Sequence, residues 1–323
     1  MSMMLRRRMM GKRNLSFWRT VQNNVRQGLA STLYPVGTQF TVDWNGDTYH
    51  LDVVDTGYTV WTLEDGVATS HSALALMFHE TLTGTKQTDA GESSVAHWGY
   101  AGDGVKTFAD LTAELYADYP QFNGAAFSWY NASGRALVAA SDSTAVTTSG
   151  VTYLANDYEL GTASNNRTNR GNNEPYISNI TQWLNSDGAA NSWYEPWHIG
   201  DEPPAYANED GFLRNLDPDL ASVLIPCAES EPYLSEPHKT LRVFRAFLSQ
   251  INGNATWHFA AYPDNTNAPR IKYNLSGAAT AWLLNSKYGS SVFYIYAILT
   301  TGEVNNNTYA SSAFPHAPVF YIF

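Results

Sequence analysis

The sequence predicts an α+β protein with β-hairpins, few helices and long irregular loops. Three observations predict it. A period-2 run folds back on itself at Asn45-Gly46, an amphipathic stripe precedes that run, and from about residue 160 the chain is crowded with Asn and Pro and loses regular periodicity. With 323 residues the chain can bury a large core without staples.

Leu15, Trp18, Val21, Val25 and Leu29 recur at helical spacing, and Arg19, Gln22, Asn23 and Arg26 occupy the other face. Residues 1–33 therefore read as a basic N-terminal helical segment. It either packs on its own body, anchors the chain in a larger assembly, or serves as a nucleic-acid arm. Residues 34–160 read as a β-rich part with short helices. Phe40, Val42 and Trp44 alternate with polar residues, Asn45-Gly46 supplies the two positive-φ positions of a tight hairpin, and Tyr49, Leu51 and Val53 continue on the return strand. Val60 to Leu63 is expected as a third strand, Ser72 to His79 as a short apolar helix, and Phe108 to Tyr119 as a helix stopped by Pro120. A hairpin is expected over 127–130 and 136–140, with a further strand at 151–154. Residues 161–323 form the loop-rich part. One helix interrupts it, with Ser178 as N-cap, Ile180, Trp183 and Leu184 as the buried face and Gly188 at its end.

Composition narrows the function. Charged residues are 15% of the chain and aromatics 14%, with 10 Trp, 20 Tyr and 14 Phe, which excludes a disordered or coiled-coil chain. Seven of the 19 basic residues precede the first acid, Asp43. The other 12 face all 30 carboxylates, leaving residues 27–323 at −18. A body that acidic is a poor binder of phosphate backbones, so no nucleic-acid partner is expected of it. No stretch approaches the roughly 20 apolar residues of a membrane span, so no membrane insertion is expected. The single Cys227 excludes an intramolecular disulfide and multi-thiolate zinc sites.

Phosphate loops, nucleophile elbows and zinc-protease helices are all missing from the sequence, and no catalytic residue, metal site or cofactor is expected. His79-Glu80, His97, His198 with Asp201 and Glu202, and Glu236 with His238 are the nearest approaches to acid–base pairs, none at a recognised spacing. The five Glu-Pro pairs, at 174, 195, 202, 231 and 236, lack the following Asn and the downstream Trp-Asn-Asp of calcium-dependent sugar-binding lectins.

The run from Ile177 to Ser186, then Asn191-Ser192-Trp193-Tyr194, Pro203-Pro204 and Gly211 to Asp219, resembles a family of proteins encoded by phages and prophages of gut bacteria. The family's shared core is similar to the C-type-lectin-like fold of formylglycine-generating enzymes. Phe17 to Gln22 with Tyr34-Pro35-Val36-Gly37, Arg270 to Tyr273 leading to Ala281-Trp282-Leu283, and Ala317 to Ile322 extend the resemblance over nearly the whole length. It implies a C-type-lectin-like core with a small twisted antiparallel sheet, two main helices and long irregular loops, a virion localisation after synthesis in the host cytoplasm, and a receptor-binding tip of the tail or particle. It also implies C-terminal diversification by a mutagenic reverse transcriptase. Family members often carry Arg-Ser-Pro after the Trp-Leu pair, where this chain has Leu284-Asn285-Ser286-Lys287. Formylglycine-generating enzymes use paired active-site cysteines, which this chain lacks.

Residues 282–323 match the expectation of a binding face. Ten of these 42 are aromatic, interleaved with Asn and Ser, the composition of adaptable contact surfaces. Trp282, Leu283, Val319, Phe320 and Ile322 read as core. The ligand-binding candidates are Asn285, Lys287, Tyr288, Phe293, Tyr294, Tyr296, Asn305, Asn307, Tyr309, Ser311 and His316. The expected partners are a host-cell surface receptor, protein or glycan, and other virion proteins through residues 1–33. A homo-oligomer suits avidity but has no heptad behind it. A structural virion decoration and a carbohydrate-degrading enzyme are the alternatives from other classes.

Overall fold

A computed structural model describes residues 16–91, the strands at 128–130, 136–139 and 153–155, and residues 171–323 apart from 172, 174, 196–201, 231–238, 254, 256, 290 and 292. The fold is mixed and dominated by antiparallel sheets. Four α-helices occur among the described residues: α1 (Phe17–Arg26), α2 (Ala30–Leu33), α3 (Asn179–Asn185) and α4 (Pro218–Ala221). None of these helices is long and apolar enough to cross a membrane.

The central sheet begins with β1 (Gln39–Trp44) and β2 (Asp47–Glu64), joined where expected by Asn45 (φ 51°) and Gly46 (φ 86°). Val42, Trp44, Tyr49, Leu51 and Val53 all turn into the core. Val60 to Leu63 is not a separate third strand. It is the far end of the 18-residue β2, which stays continuous by absorbing register shifts between Val53 and Tyr58. A second two-residue turn, Asp65-Gly66 (φ 49° and 79°), leads into β3 (Val67–Phe78).

Ser72 to His79 is thus strand rather than helix up to Phe78. Ala73 through Phe78 are all fully buried, because β3 is covered on both faces, and a doubly covered strand loses the alternation that marks a half-exposed one. Next to β3 lies β15 (Pro318–Ile322), followed by β8 (Val243–Arg245), giving the order β1-β2-β3-β15-β8 with every neighbour antiparallel. Pro318 is tolerated inside this sheet because it is the first residue of its strand.

Strands at Ser128–Tyr130 and Ala136–Ala139 (β5 and β6, after the short β4 at Lys86–Gln87) form the expected hairpin, and the further strand, at Tyr153–Ala155 (β7), pairs with the other edge of β5. The expected helix at 108–119 lies outside the described residues.

On the central sheet sits an aromatic core. Trp44 stacks on Phe212 at 5.5 Å, and Trp183 of α3 meets both rings edge-on. Ser178 occupies the N-cap position of α3, but its hydroxyl donates to Pro175 O and Thr181 Oγ1. The Asn179 amide instead donates to Asp89 Oδ1. The helix ends at Asn185, three residues before Gly188.

Helix α1 docks on its own body through Trp18, Val21 and Val25. Gln22, expected on the polar face, is buried, and its Nε2 donates to Val223 O and Phe323 O. Asp219 of α4 accepts from the Trp18 amide, so an acid distant in sequence caps the helix.

Candidate functional site

The last third of the chain adds a smaller sheet of three strands, β11 (Trp282–Lys287), β12 (Tyr294–Ile298) and β13 (Val304–Tyr309), after the two-residue β9 (Lys272–Tyr273) and β10 (Ala279–Thr280). Along β12, Ile295 and Ala297 are buried with Leu283 and Ala310, while Tyr294 and Tyr296 are half-buried. That alternation creates a face on which tyrosines gather.

Tyr294 pairs across strands with Tyr309, and the two rings stack at 5.2 Å and 14°. Phe293 meets both rings, and Tyr288 meets Tyr296 edge-on at 5.7 Å. Tyr288 and Lys287 are exposed, and Ser311 is half-buried just beyond β13. Six of the eleven sequence candidates therefore form one end of the small sheet: Lys287, Tyr288, Tyr294, Tyr296 and Tyr309, with Phe293 buried beneath as their support.

Asn305 and Asn307 lie at the other end of β13, on an open groove of about 540 Å³. Its opposite wall comes from Asn265, Asn267 and Arg270, none of them among the eleven candidates, with Glu303 at the turn. Arg270 is 2% exposed. Its Nη1 donates to Asn265 Oδ1 at 3.1 Å, and its Nη2 to Asn265 O at 3.0 Å and Asn267 Oδ1 at 2.8 Å. Trp282 Nε1 donates to Arg270 O and fixes the backbone beneath. Gly302 (φ 80°) lies so close to Asn267 that a Cβ would sit 2.1 Å from the Asn267 carbonyl oxygen. Only glycine permits that approach. The crowding of Asn and Pro in 264–269 was a readable turn signal, but its partners, Gly302 and β13, lie far along the chain, which no local pattern reveals.

Two candidates leave the face. Asn285 is 2% exposed because β11 is covered on both sides from Trp282 through Asn285, and its Oδ1 accepts from Arg245 Nη2 at 3.0 Å. His316 is also 2% exposed, its Nε2 bonded to Lys86 O. Burial, reinforced by the Arg245 and Lys86 charges, holds its imidazole down to about 3.

The acid–base pairs separate as well. His79 bonds Asp52 rather than Glu80, and Glu80 bonds His50, each at 2.8 Å. Neither imidazole is bonded to a hydroxyl or thiol. Lys272 lies beside them, buried, 3.7 Å from Asp52 and donating to Phe78 O. Burial pulls its ammonium down to about 8. Cys227 is 1% exposed, and burial raises its thiol well above the ordinary value, opposite to what a nucleophile needs. Glu202 is exposed, while His97, His198, Asp201, Glu236 and His238 lie outside the described residues. Among the described residues, no group of three or more His, Cys, Asp or Glu is arranged to hold a metal ion.

No family model, no curated protein and no solved structure matches the chain.

Proposed function

We propose that this chain is a phage virion adhesin of C-type-lectin-like type, using the face of β11–β13 to bind a receptor on the host-cell surface. One observation carries the reading. A single three-stranded sheet bears a tyrosine cluster at one end and an asparagine-lined groove at the other, joined by β13. Tyrosine offers wide amphipathic contact at low side-chain entropy cost, and asparagine offers adaptable donors and acceptors.

The basic N-terminal segment suits the opposite role, attachment to other virion proteins. Of the ten exposed large hydrophobic side chains among the described residues, Phe17, Leu29, Leu33 and Val36 fall within 17–36, where a neighbouring subunit could cover them. Repeated copies on one particle would convert weak single sites into firm attachment.

The test is binding of the purified chain, clustered on beads, to a panel of intact gut bacteria, with Tyr288→Ala/Asn307→Ala as the comparison. Both side chains are exposed, so the fold should be indifferent to their loss. Retention on at least one strain, reduced tenfold or more by the double change, supports adhesion through this face. Equal retention of both proteins would place the adhesive surface elsewhere.

A further inference from the structure

We infer that the groove between the Asn265–Arg270 turn and β13 is a binding site for neutral sugars, so that the receptor it meets is an uncharged glycan. The inference rests on the adhesin reading and adds the ligand class. Its basis is the way the groove fixes the polarity of its amides. An asparagine side chain is ordinarily free to offer either its oxygen or its nitrogen. Here Arg270 removes that freedom, because its guanidinium takes the Oδ1 atoms of both Asn265 and Asn267. Asn305 is committed the same way, its Oδ1 accepting from the Asn307 amide at 3.0 Å. Three side chains on the groove therefore have their amide orientation fixed: each Oδ1 is turned to a protein donor and keeps one lone pair, and each Nδ2 is set as a donor on the other side. Asn306 and Asn307 are exposed beside them and can still supply an acceptor.

A ligand complementary to this set carries several closely spaced acceptor oxygens and a few donors, which is the chemistry of sugar hydroxyls, ring oxygens and acetamido carbonyls. The donors are preorganised. Arg270 is buried and anchored through Trp282, and the Gly302 turn is pressed against Asn267, so little ordering remains to be done on binding. The volume lies within the range of small-molecule sites.

Charge selects among sugars. Glu303 stands on the groove, and Asp264 is close enough for its charge to act on Arg270, so two carboxylates outnumber the one guanidinium. The guanidinium itself already faces its two asparagines. An anionic sugar would meet net repulsion, both here and from the acidic body.

The probe is a printed array of neutral and acidic glycans in the presence of EDTA, followed by calorimetry with the strongest neutral hit. The informative variant is Asn267→Asp, which keeps an oxygen for Arg270 but replaces the Nδ2 donor with a second acceptor. Asn306→Ala/Asn307→Ala alters only exposed groups. Binding to neutral glycans that falls tenfold or more in both variants, at unchanged melting temperature, supports the assignment. A blank array, binding confined to acidic glycans, or indifference to Asn267→Asp would overturn it. Intact cells treated with periodate separate the two proposals. Retention that survives periodate but is lost on Tyr288→Ala/Asn307→Ala keeps adhesion and removes the glycan. Failure to bind any cell, treated or not, removes adhesion itself.

Discussion

Arg245 is 2% exposed and reaches Thr88 Oγ1 and Asn285 Oδ1 with its two terminal nitrogens. Asn285→Ala would leave that buried guanidinium short of an acceptor, at a cost of about 1–3 kcal/mol, measurable by urea denaturation and with no effect on cell binding. His316 and Glu229 give the protein opposing pH dependences. The folded state holds His316 near 3 against an ordinary value of 6.5, so the unfolded chain binds the extra proton and stability falls as pH drops from about 6.5 toward 3. Glu229 behaves in reverse. Burial raises its carboxyl from 4.5 to about 7 despite hydrogen bonds from Tyr321 and Gln250, so the folded state holds the extra proton and stability falls as pH rises from about 4.5 to 7. Glu229→Gln should flatten the decline across that window in pH-dependent denaturation, and His316→Gln should flatten the acid-side decline. An unchanged slope in either variant contradicts the corresponding burial. None of these roles was legible in the sequence. An Asn and a His in a Tyr-rich segment read as surface residues until a buried arginine is found to need one and a returning chain to enclose the other.

Turn chemistry made individual elements legible, and their environment made them illegible. Asn45-Gly46 specified its hairpin because the two positive-φ positions are encoded in adjacent residues. The stripe of Trp18, Val21 and Val25 specified α1 because one face meets the core and the other water. The run from Ala73 to Phe78 gave no such contrast, since both faces of β3 are covered, and a short apolar run then fits helix as well as strand. Long-range caps are invisible for a related reason. Ser16 and Ser178 both stand where an N-cap belongs, yet neither side chain caps its helix, and Asp219 and Asp89 accept the helix amides from distant parts of the chain. Asp219→Ala should therefore cost about 1 kcal/mol through loosening of α1. Hydrogen exchange would place the loss at residues 17–26, whereas a change spread evenly over the sheet would mean that α1 does not depend on this cap.

At the scale of the whole molecule, strand order and charge both separate the two ends of the function. Strand β15 inserts between β3 and β8, so the segment that carries the small sheet is bolted into the centre of the large one. The tyrosine cluster and the asparagine groove are consequently tied to the large sheet, while seven of the 19 basic residues crowd the chain before Asp43, ahead of every acid. Bacterial envelopes are anionic, and a body of −18 approaches them against repulsion. If recognition is by the uncharged contacts of the small sheet, added salt screens that repulsion without weakening the contacts. The Debye length falls from roughly 10 Å at 0.1 M to roughly 3 Å at 1 M. Association with cells should then quicken as sodium chloride is raised from about 0.05 M to about 0.3 M, with the dissociation rate nearly constant. Biolayer interferometry on immobilised cells reads both rates. Association that slows with salt would instead mean that the chain meets the envelope through its basic leader, and the small sheet would lose its role as the adhesive face.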